Sequence, residues 1–380
     1  MIEKKYCTGC SACVEVCPVQ AVTMQSDSEG FGYPSIASDL CIACGRCEAV
    51  CPVTNSLHRE NYLETAAIVW AKNAALREQS SSGGAFSLLA KQVLSQGGLV
   101  FGCAMSEDCY YAQHVCVDTE DGLKLLRGSK YVQSSMGQTL REAKTALDYG
   151  KTVMFSGTPC QIAALRAFLG KRDDENLLTV DVICHGVPSP LVWKKYVKEL
   201  EAEQAKRVRS VRFRDKENGW KCYSLVCEFD DGSRYSKKVT EDPYLRGFVS
   251  NLYLRPSCYL CSFKGNNYAS DITLADFWSE KECNPGPADD RGISLAIAHS
   301  QKGEEALCKL KEDGNVLEIP LENALRSNQS YYRSAPLNPL RNRALREMQR
   351  KDVHQVIEKY CGTSLGAKIR RKLAKILQRA

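Results

Sequence analysis

A chain of 380 residues, 44% hydrophobic and 25% charged, is ordinary in composition for a globular protein and long enough for two or three domains. No stretch approaches the ~18 consecutive apolar residues of a membrane-spanning helix, and 20 cysteines with no apolar signal segment ahead of Cys7 point to a reducing cytoplasm rather than to disulfides. The net charge of +6 is uneven: residues 341–380 hold 12 Lys and Arg against 3 Asp and Glu, so the first 340 carry −3, which argues against a nucleic-acid face on the body.

The first element of the chain is also its most specific. Cys7, Cys10, Cys13 and Cys17 precede Pro18, and Cys41, Cys44, Cys47 and Cys51 precede Pro52, each run reading C-x2-C-x2-C-x3-C-P. Three thiolates on one turn cover a face of an iron–sulfur cube, and the fourth, leaving on the next helix, reaches the other cube. The spacing therefore predicts two [4Fe-4S] clusters, one on Cys7, Cys10, Cys13 and Cys51 and the other on Cys41, Cys44, Cys47 and Cys17. Zinc knuckles would show two separated pairs of ligands, not a quartet ending in Cys-Pro that occurs twice. The segment resembles a bacterial two-cluster ferredoxin and sets a first domain over residues 1–58, with His58-Arg59-Glu60-Asn61 as a charged linker.

A second domain, 59–340, reads as alternating strands and helices. Ala67 to Ala71 is a strand, Ser80-Ser81-Ser82-Gly83-Gly84 a small-residue loop, and Ala85 to Leu94 a helix. Strands follow at Gly98 to Ala104, Thr152 to Phe155 and Leu178 to Ile183, with helices at Ser135 to Tyr149, Gln161 to Leu169 and Leu191 to Glu203. Ser189 and Pro190 suit the cap and first turn of the last of these. From Val208 the pattern turns to short alternating strands, Val211 to Arg214, Tyr223 to Phe229 and Ser233 to Val239, with a turn at Asp230-Asp231-Gly232: a β-hairpin insertion. A strand at Asp271 to Phe277 and a last α/β portion complete the body. In the tail, 341–380, Leu365, Ile369, Leu373 and Ile376/Leu377 alternate with Lys368, Arg370, Arg371, Lys372 and Lys375. Such a basic amphipathic helix either lies on its own domain or makes peripheral contact with an anionic membrane or an acidic partner.

Four later cysteines sit where chemistry is plausible. Cys160 opens a helix after a strand, Cys184 ends the next strand, and Cys258 and Cys261 form a C-x2-C pair. Strand ends of an α/β sheet open on one edge, and a helix N-terminus favours a thiolate. The set fits a third [4Fe-4S] cluster, a zinc site or unrelated buried thiols, the last being the default for Cys103, Cys109, Cys116, Cys222, Cys227, Cys283, Cys308 and Cys361. Ser80 to Gly84 is either an anion cradle or a tight turn, and Arg127-Gly128-Ser129-Lys130-Tyr131 offers a cation for a pyrophosphate.

Taken in order, Ser82-Gly83-Gly84, Gly128-Ser129-Lys130-Tyr131, Gly157-Thr158-Pro159-Cys160-Gln161, Cys184-His185-Gly186-Val187-Pro188-Ser189, Cys258-x2-Cys261, Asp271-Ile272 and Asp276-Phe277-Trp278 resemble the beta-subunit family of coenzyme F420 hydrogenase/dehydrogenase. The resemblance implies FAD near Ser82, Gly83, Gly84, Ser129 and Lys130, and a third cluster on Cys160, Cys184, Cys258 and Cys261. It also implies a redox partner protein or electron carrier, with a deazaflavin or other small-molecule acceptor against the flavin. Asp276, Trp278, His185 and Lys130 become candidates for the substrate pocket. The segment Arg212 to Trp220 is similar to bacterial members near polysaccharide-biosynthesis genes, so the family name does not fix the acceptor. An electron-transfer subunit with no substrate of its own is the competing expectation. The expected fold class is α+β, a small two-cluster ferredoxin-like domain followed by a larger α/β flavin-binding domain with a β-hairpin insertion.

Overall fold

The computed structural model describes residues 1–55, 64–170, 175–278, 285–362 and Gly366. The N-terminal segment holds two four-residue helices, Ala12–Glu15 and Arg46–Ala49, around one antiparallel hairpin, β1 (Val22–Ser26) and β2 (Gly32–Ile36). The duplication in the sequence is repeated in the backbone. Gly9 and Ala43, and again Ser11 and Gly45, have positive φ on either side of the second cysteine of each run, so both runs turn in the same way. The segment's own apolar packing is slight, with Cys17, Ala21 and Val22 buried against Cys13, Val14 and Cys47.

The body is built on a nine-stranded sheet. Its strands are β3 (Thr65–Ala71), β4 (Leu99–Met105), β5 (Ala112–Val117), β6 (Ser134–Ser135), β7 (Val153–Ser156) and β8 (Leu177–Val182), then β12 (Ile272–Asp276), β13 (Ser294–Ala298) and β14 (Gly314–Glu318). Between β8 and β12 the chain makes a separate antiparallel sheet of β9 (Val208–Asp215), β10 (Ser224–Phe229) and β11 (Arg234–Lys238), the expected insertion. The large sheet runs β14-β3-β13-β12-β8-β7-β4-β5-β6. Its centre, β12-β8-β7-β4, is parallel, as helical crossovers require. Strands there are buried on both faces: residues 153–155 of β7 and 177–181 of β8 are buried throughout.

Helix Ala85–Ser95 covers one face through Leu88, Leu89 and Val93. Helices Thr139–Asp148 and Pro159–Leu169 cover the other, and Ala12 and Val50 of the N-terminal segment are buried in that same cluster. Arg141 fastens the contact, its Nε donating to the Glu15 carbonyl at 2.6 Å and its backbone N–H to Glu15 Oε2 at 3.0 Å. Beside the small sheet, helix Pro190–Gln204 packs with helices Pro243–Val249, Arg341–Met348 and Val353–Cys361. The start of the basic tail is thus part of the body's core, while the repeat from Leu365 lies outside the described residues, as does the linker around His58.

The alternation expected from the sequence is present with some bounds moved: the strand expected from Val211 begins at Val208 and the helix expected from Gln161 at Pro159. The helix expected from Ser135 begins at Thr139, because Ser134 and Ser135 pair with Ala112 and Gln113 as β6. Not among the expected strands are β13 and β14, whose partner β3 lies more than two hundred residues earlier, and β5 and the hairpin β1–β2, which pair locally but are short.

Candidate redox site

The N-terminal thiols surround a space. Cys7, Cys10, Cys13 and Cys51 line one cavity of about 440 Å³ with Cys47 at its edge, whereas Cys17 packs beside Cys47. The last cysteine of each run therefore leans toward the other run. Cys7 and Cys17 are buried, and Cys41 and Cys44 are exposed. Burial, then the charge of neighbouring thiols, pushes Cys13 up to about 12; burial likewise pushes Cys10 up to about 11. Thiolates here need a cation to neutralise them. The backbone N–H of Ala21 already points at the Cys17 sulfur at 3.3 Å. Sulfurs spread around a cavity would suit the separate irons of a cube.

Adjacency of β7 and β8 explains the second thiol group. These parallel strands end side by side, so Cys160, in the first turn after β7, and Cys184, just past β8, emerge on one edge. The 3-10 turn Pro256–Leu260 adds Cys258, with Cys261 next after it. The charges of Cys261, Cys184 and Cys258 all bear on Cys160, whose burial raises it well above the usual thiol range; Cys258 is pushed up to about 12, first by burial and then by Cys184. Val187 N–H points at the Cys258 sulfur at 3.4 Å. Gly186, at φ +143, is needed there, since a Cβ would lie 3.2 Å from Cys258 Cβ. Cys160 and Cys261 pack against the same apolar cluster as Cys10 and Cys13, and Arg255, which caps the turn carrying Cys258, donates to the Cys7 carbonyl.

Cys184 and His185 also form part of the wall of a second cavity, of about 630 Å³. On another wall lie Ser82, Gly84, Ser129 and Lys130, four of the five residues expected at a flavin pyrophosphate. Ser81 ties their two loops together, its Oγ accepting the Ser129 N–H at 2.8 Å. Gly84, at φ +100, starts helix Ala85–Ser95, leaving the first N–H groups of the helix at the cavity. The fifth residue, Gly83, serves the sheet instead: a Cβ there would sit 2.1 Å from the Val69 carbonyl oxygen. Lys130 is engaged as well. Its ammonium donates to the carbonyls of Leu125, Leu126 and Arg127, each at 2.9 Å, which uses all three protons. Lys130 thus holds the turn that presents Ser129. Arg127 is the better-placed cation, with five donors of which Nε meets Ser87 and Nη1 meets Gln79.

The far end is aromatic. Asp276 pairs with buried Arg214 and accepts the Trp220 indole N–H at 3.0 Å, and Trp220 stacks on Trp278 at 4.5 Å. Sequence reasoning missed a chain of hydrogen bonds from this cavity to the thiols. Burial pushes His114 down to about 4, so it is neutral: Nε2–H donates to Ser156 O at 3.1 Å and Nδ1 accepts from Ser134 Oγ at 3.1 Å. Gln161 Nε2 donates to Ser134 at 2.9 Å, Gln161 Oε1 accepts from Thr158, and Thr158 Oγ1 lies 3.2 Å from the Cys160 sulfur. The visible signal was Thr158-x-x-Gln161, a helix-capping pair.

An N-terminal pair of thiol sets around a cavity defines a protein of the dicluster class, and residues 6–55 match the 4Fe-4S dicluster domain. Residues 66–141 match the N-terminal part, and residues 150–324 the C terminus, of the coenzyme F420 hydrogenase/dehydrogenase beta subunit. The chain belongs to that beta-subunit family. A curated relative, one of the subunits of the F(420)H(2) dehydrogenase of Methanosarcina mazei, is 25% identical over 193 residues, 48% of this chain and 54% of the relative. The chain spans about half the length of the curated relative it matches. A chain in the F420-reducing [NiFe] hydrogenase complex from Methanosarcina barkeri aligns at 18% identity and TM-score 0.47, over 81% of this chain and 97% of that one.

Proposed function

We propose that this protein is an iron–sulfur flavoprotein subunit that passes electrons between a partner carrier and a two-electron acceptor. On this reading two [4Fe-4S] clusters occupy the N-terminal thiols, a third occupies Cys160, Cys184, Cys258 and Cys261, and FAD occupies the larger cavity. Clusters carry single electrons, and a flavin joins them into pairs. The observation that carries the reading is continuity. Thiols run from exposed Cys41 and Cys44, through the set around Cys7, to the later quartet, and Cys184 ends the run on the wall of a cavity that Ser82, Gly84 and Ser129 also line. The chain's own part is to bury the inner thiols, offer Gly84's helix N–H groups and Arg127 to an anion, and exclude water with Trp278 and Tyr131.

The acceptor is a deazaflavin or another planar two-electron compound. Members of the family are named for coenzyme F420, which supports the first. The test is anaerobic purification with iron, sulfide and flavin counted: about twelve irons for three clusters, with FAD. Zinc in place of iron, with no broad visible absorption, would overturn the reading. Iron with no flavin would leave an electron-transfer subunit without a substrate of its own.

A further inference from the structure

Among the described residues two buried cations make no hydrogen bond to a carboxylate. One is Lys216, whose ammonium donates to the carbonyls of Arg77, Ser82 and Arg291 with the charges of Glu78 and Asp276 bearing on it, and the other is Arg255, which lies among the thiols. Arg255 is fully buried. Its side chain reaches the N-terminal segment, with Nε donating to the Cys7 carbonyl at 2.7 Å, Nη1 to Gln133 Oε1 at 2.9 Å and Nη2 to the Gly32 carbonyl at 2.9 Å. Nη2 also lies 3.8 Å from the Cys7 sulfur, and the guanidinium sits 4.4 Å from the centre of the Tyr33 ring. Gly9 is kept small by the same contact, because a Cβ would come within 2.6 Å of Nη1. The backbone of Arg255 belongs to the other thiol group. Its N–H donates to the Val187 carbonyl at 2.9 Å, its carbonyl accepts the Cys258 N–H at 3.0 Å, and it caps the turn that carries Cys258.

Among the described residues three other arginines are buried, and each meets a carboxylate: Arg77 with Asp289, Arg214 with Asp276 and Arg341 with Glu29. Arg255 is more buried than any of them, yet its hydrogen bonds run to carbonyls, an amide and a thiol. A cation withdrawn from water without a counter-charge is strongly disfavoured, and carbonyl dipoles offset only part of that penalty. An anion is therefore expected beside it. A cube held by four thiolates is an anion, and on the reading above one stands on each side.

We infer that Arg255 is a positioning residue and shared counter-ion for the two inner clusters, one on Cys7, Cys10, Cys13 and Cys51 and one on Cys160, Cys184, Cys258 and Cys261. The inference rests on both thiol sets holding clusters. Reduction adds negative charge to a cluster, and a fixed cation favours the more negative state, so Arg255 raises both inner reduction potentials. Beside the outer cluster, on Cys41, Cys44, Cys47 and Cys17, stands the partly exposed Arg141, whose Nη2 donates to the Cys17 carbonyl at 3.4 Å; water screens that charge more than it screens the fully buried Arg255, so electrons settle on the inner pair.

The test is a redox titration of the full-length, iron-loaded protein followed by electron paramagnetic resonance, with iron counted in each sample. Arg255→Met should keep its iron and shift both inner clusters at least tenfold toward the oxidised form, equivalent to about 59 mV for one electron, while the outer cluster stays. Arg255→Lys, which keeps the charge but loses the fork, should restore most of the shift. Gln133→Leu, which loosens the same contact without removing charge, should leave the potentials alone. Full iron with unmoved inner potentials in Arg255→Met would overturn the inference, as would an equal shift of all three clusters or a matching shift in Gln133→Leu. Should Arg255→Met lose iron, Arg255→Lys decides: wild-type potentials support the counter-ion, and a tenfold displacement overturns it. Wild-type protein that takes up no iron would fail the cluster reading itself, a result distinct from any of these.

Discussion

The eight N-terminal thiols and the four later ones reach similar arrangements by opposite routes. The first set is written locally, in two runs of one spacing, and the last cysteine of each leans toward the other run. The second is spread from Cys160 to Cys261 and comes together only because β7 and β8 are adjacent and parallel. Their supports differ as well. Residues 1–55 offer two four-residue helices, a hairpin and a small cluster in which cysteines are prominent; helices that short are not stable alone. The quartet hangs from a nine-stranded sheet with large apolar clusters on both faces. On the proposed reading, a locally written site would depend on its metal for its fold, and a topologically written one would not.

The largest expected effect follows directly. Stripping iron from anaerobic protein with a chelator should release residues 1–55 to rapid hydrogen exchange while β3, β7, β8 and β13 remain protected, because metal binding there is folding free energy. Persistent protection of β1 and β2 after iron removal would break the comparison at its root.

Next in size is the loss of a single cluster without loss of fold. Alanine at Cys160, Cys184, Cys258 or Cys261 should in each case remove the same ~4 irons and the same spectroscopic signal, with the melting temperature of the body little changed. Cys222→Ala and Cys308→Ala should leave iron untouched. If the four variants lost different amounts of iron, the quartet would be four separate thiols.

This contrast also shows what could be read in advance. Strands β3, β4, β7, β8, β10 and β12 lie where apolar runs place them, and the crossing of Cys17 and Cys51 is implicit in the C-x2-C-x2-C-x3-C spacing. The quartet was legible in part, since strand-end logic singles out Cys160 and Cys184 and the resemblance adds the C-x2-C pair. Arg255 was not legible: in Leu254-Arg255-Pro256 nothing separates it from a surface arginine until the fold lays it against Cys7. Lys130 misleads for a related reason, because its partners are main-chain carbonyls, which a sequence does not display. Gly83 reads like Gly84, yet only the sheet reveals that its missing side chain makes room for Val69.

A smaller effect separates the two sites by pH. His114 has an ordinary value of 6.5 and is held near 4 by burial. Between those values the unfolded chain binds a proton that the folded chain refuses. Stability therefore falls as pH drops from 6.5 toward 4, by about 3 kcal/mol at most. His114→Gln should flatten that slope relative to wild type in urea melts at stepped pH. Since the hydrogen-bond chain from His114 ends at Cys160, acid should also release quartet iron faster in wild type than in the variant. Equal pH slopes would show that His114 does not set the acid sensitivity, and equal rates of iron release would detach it from the quartet.

The smallest expected change tests which cation faces the larger cavity. Lys130 has every ammonium proton on a carbonyl, whereas Arg127 keeps donors beyond those on Ser87 and Gln79. Lys130→Met should weaken FAD by about tenfold, through a slacker Ser129 turn, the loss of ~1.4 kcal/mol. Arg127→Met should weaken it by a similar factor. The two losses differ in kind: a charge acting on a pyrophosphate is screened by salt, and the shape of a turn is not. Flavin affinity should therefore become less salt-dependent in Arg127→Met and keep its wild-type salt dependence in Lys130→Met. The reverse pattern would return Lys130 to the phosphate and leave Arg127 as the residue that only steadies the loop.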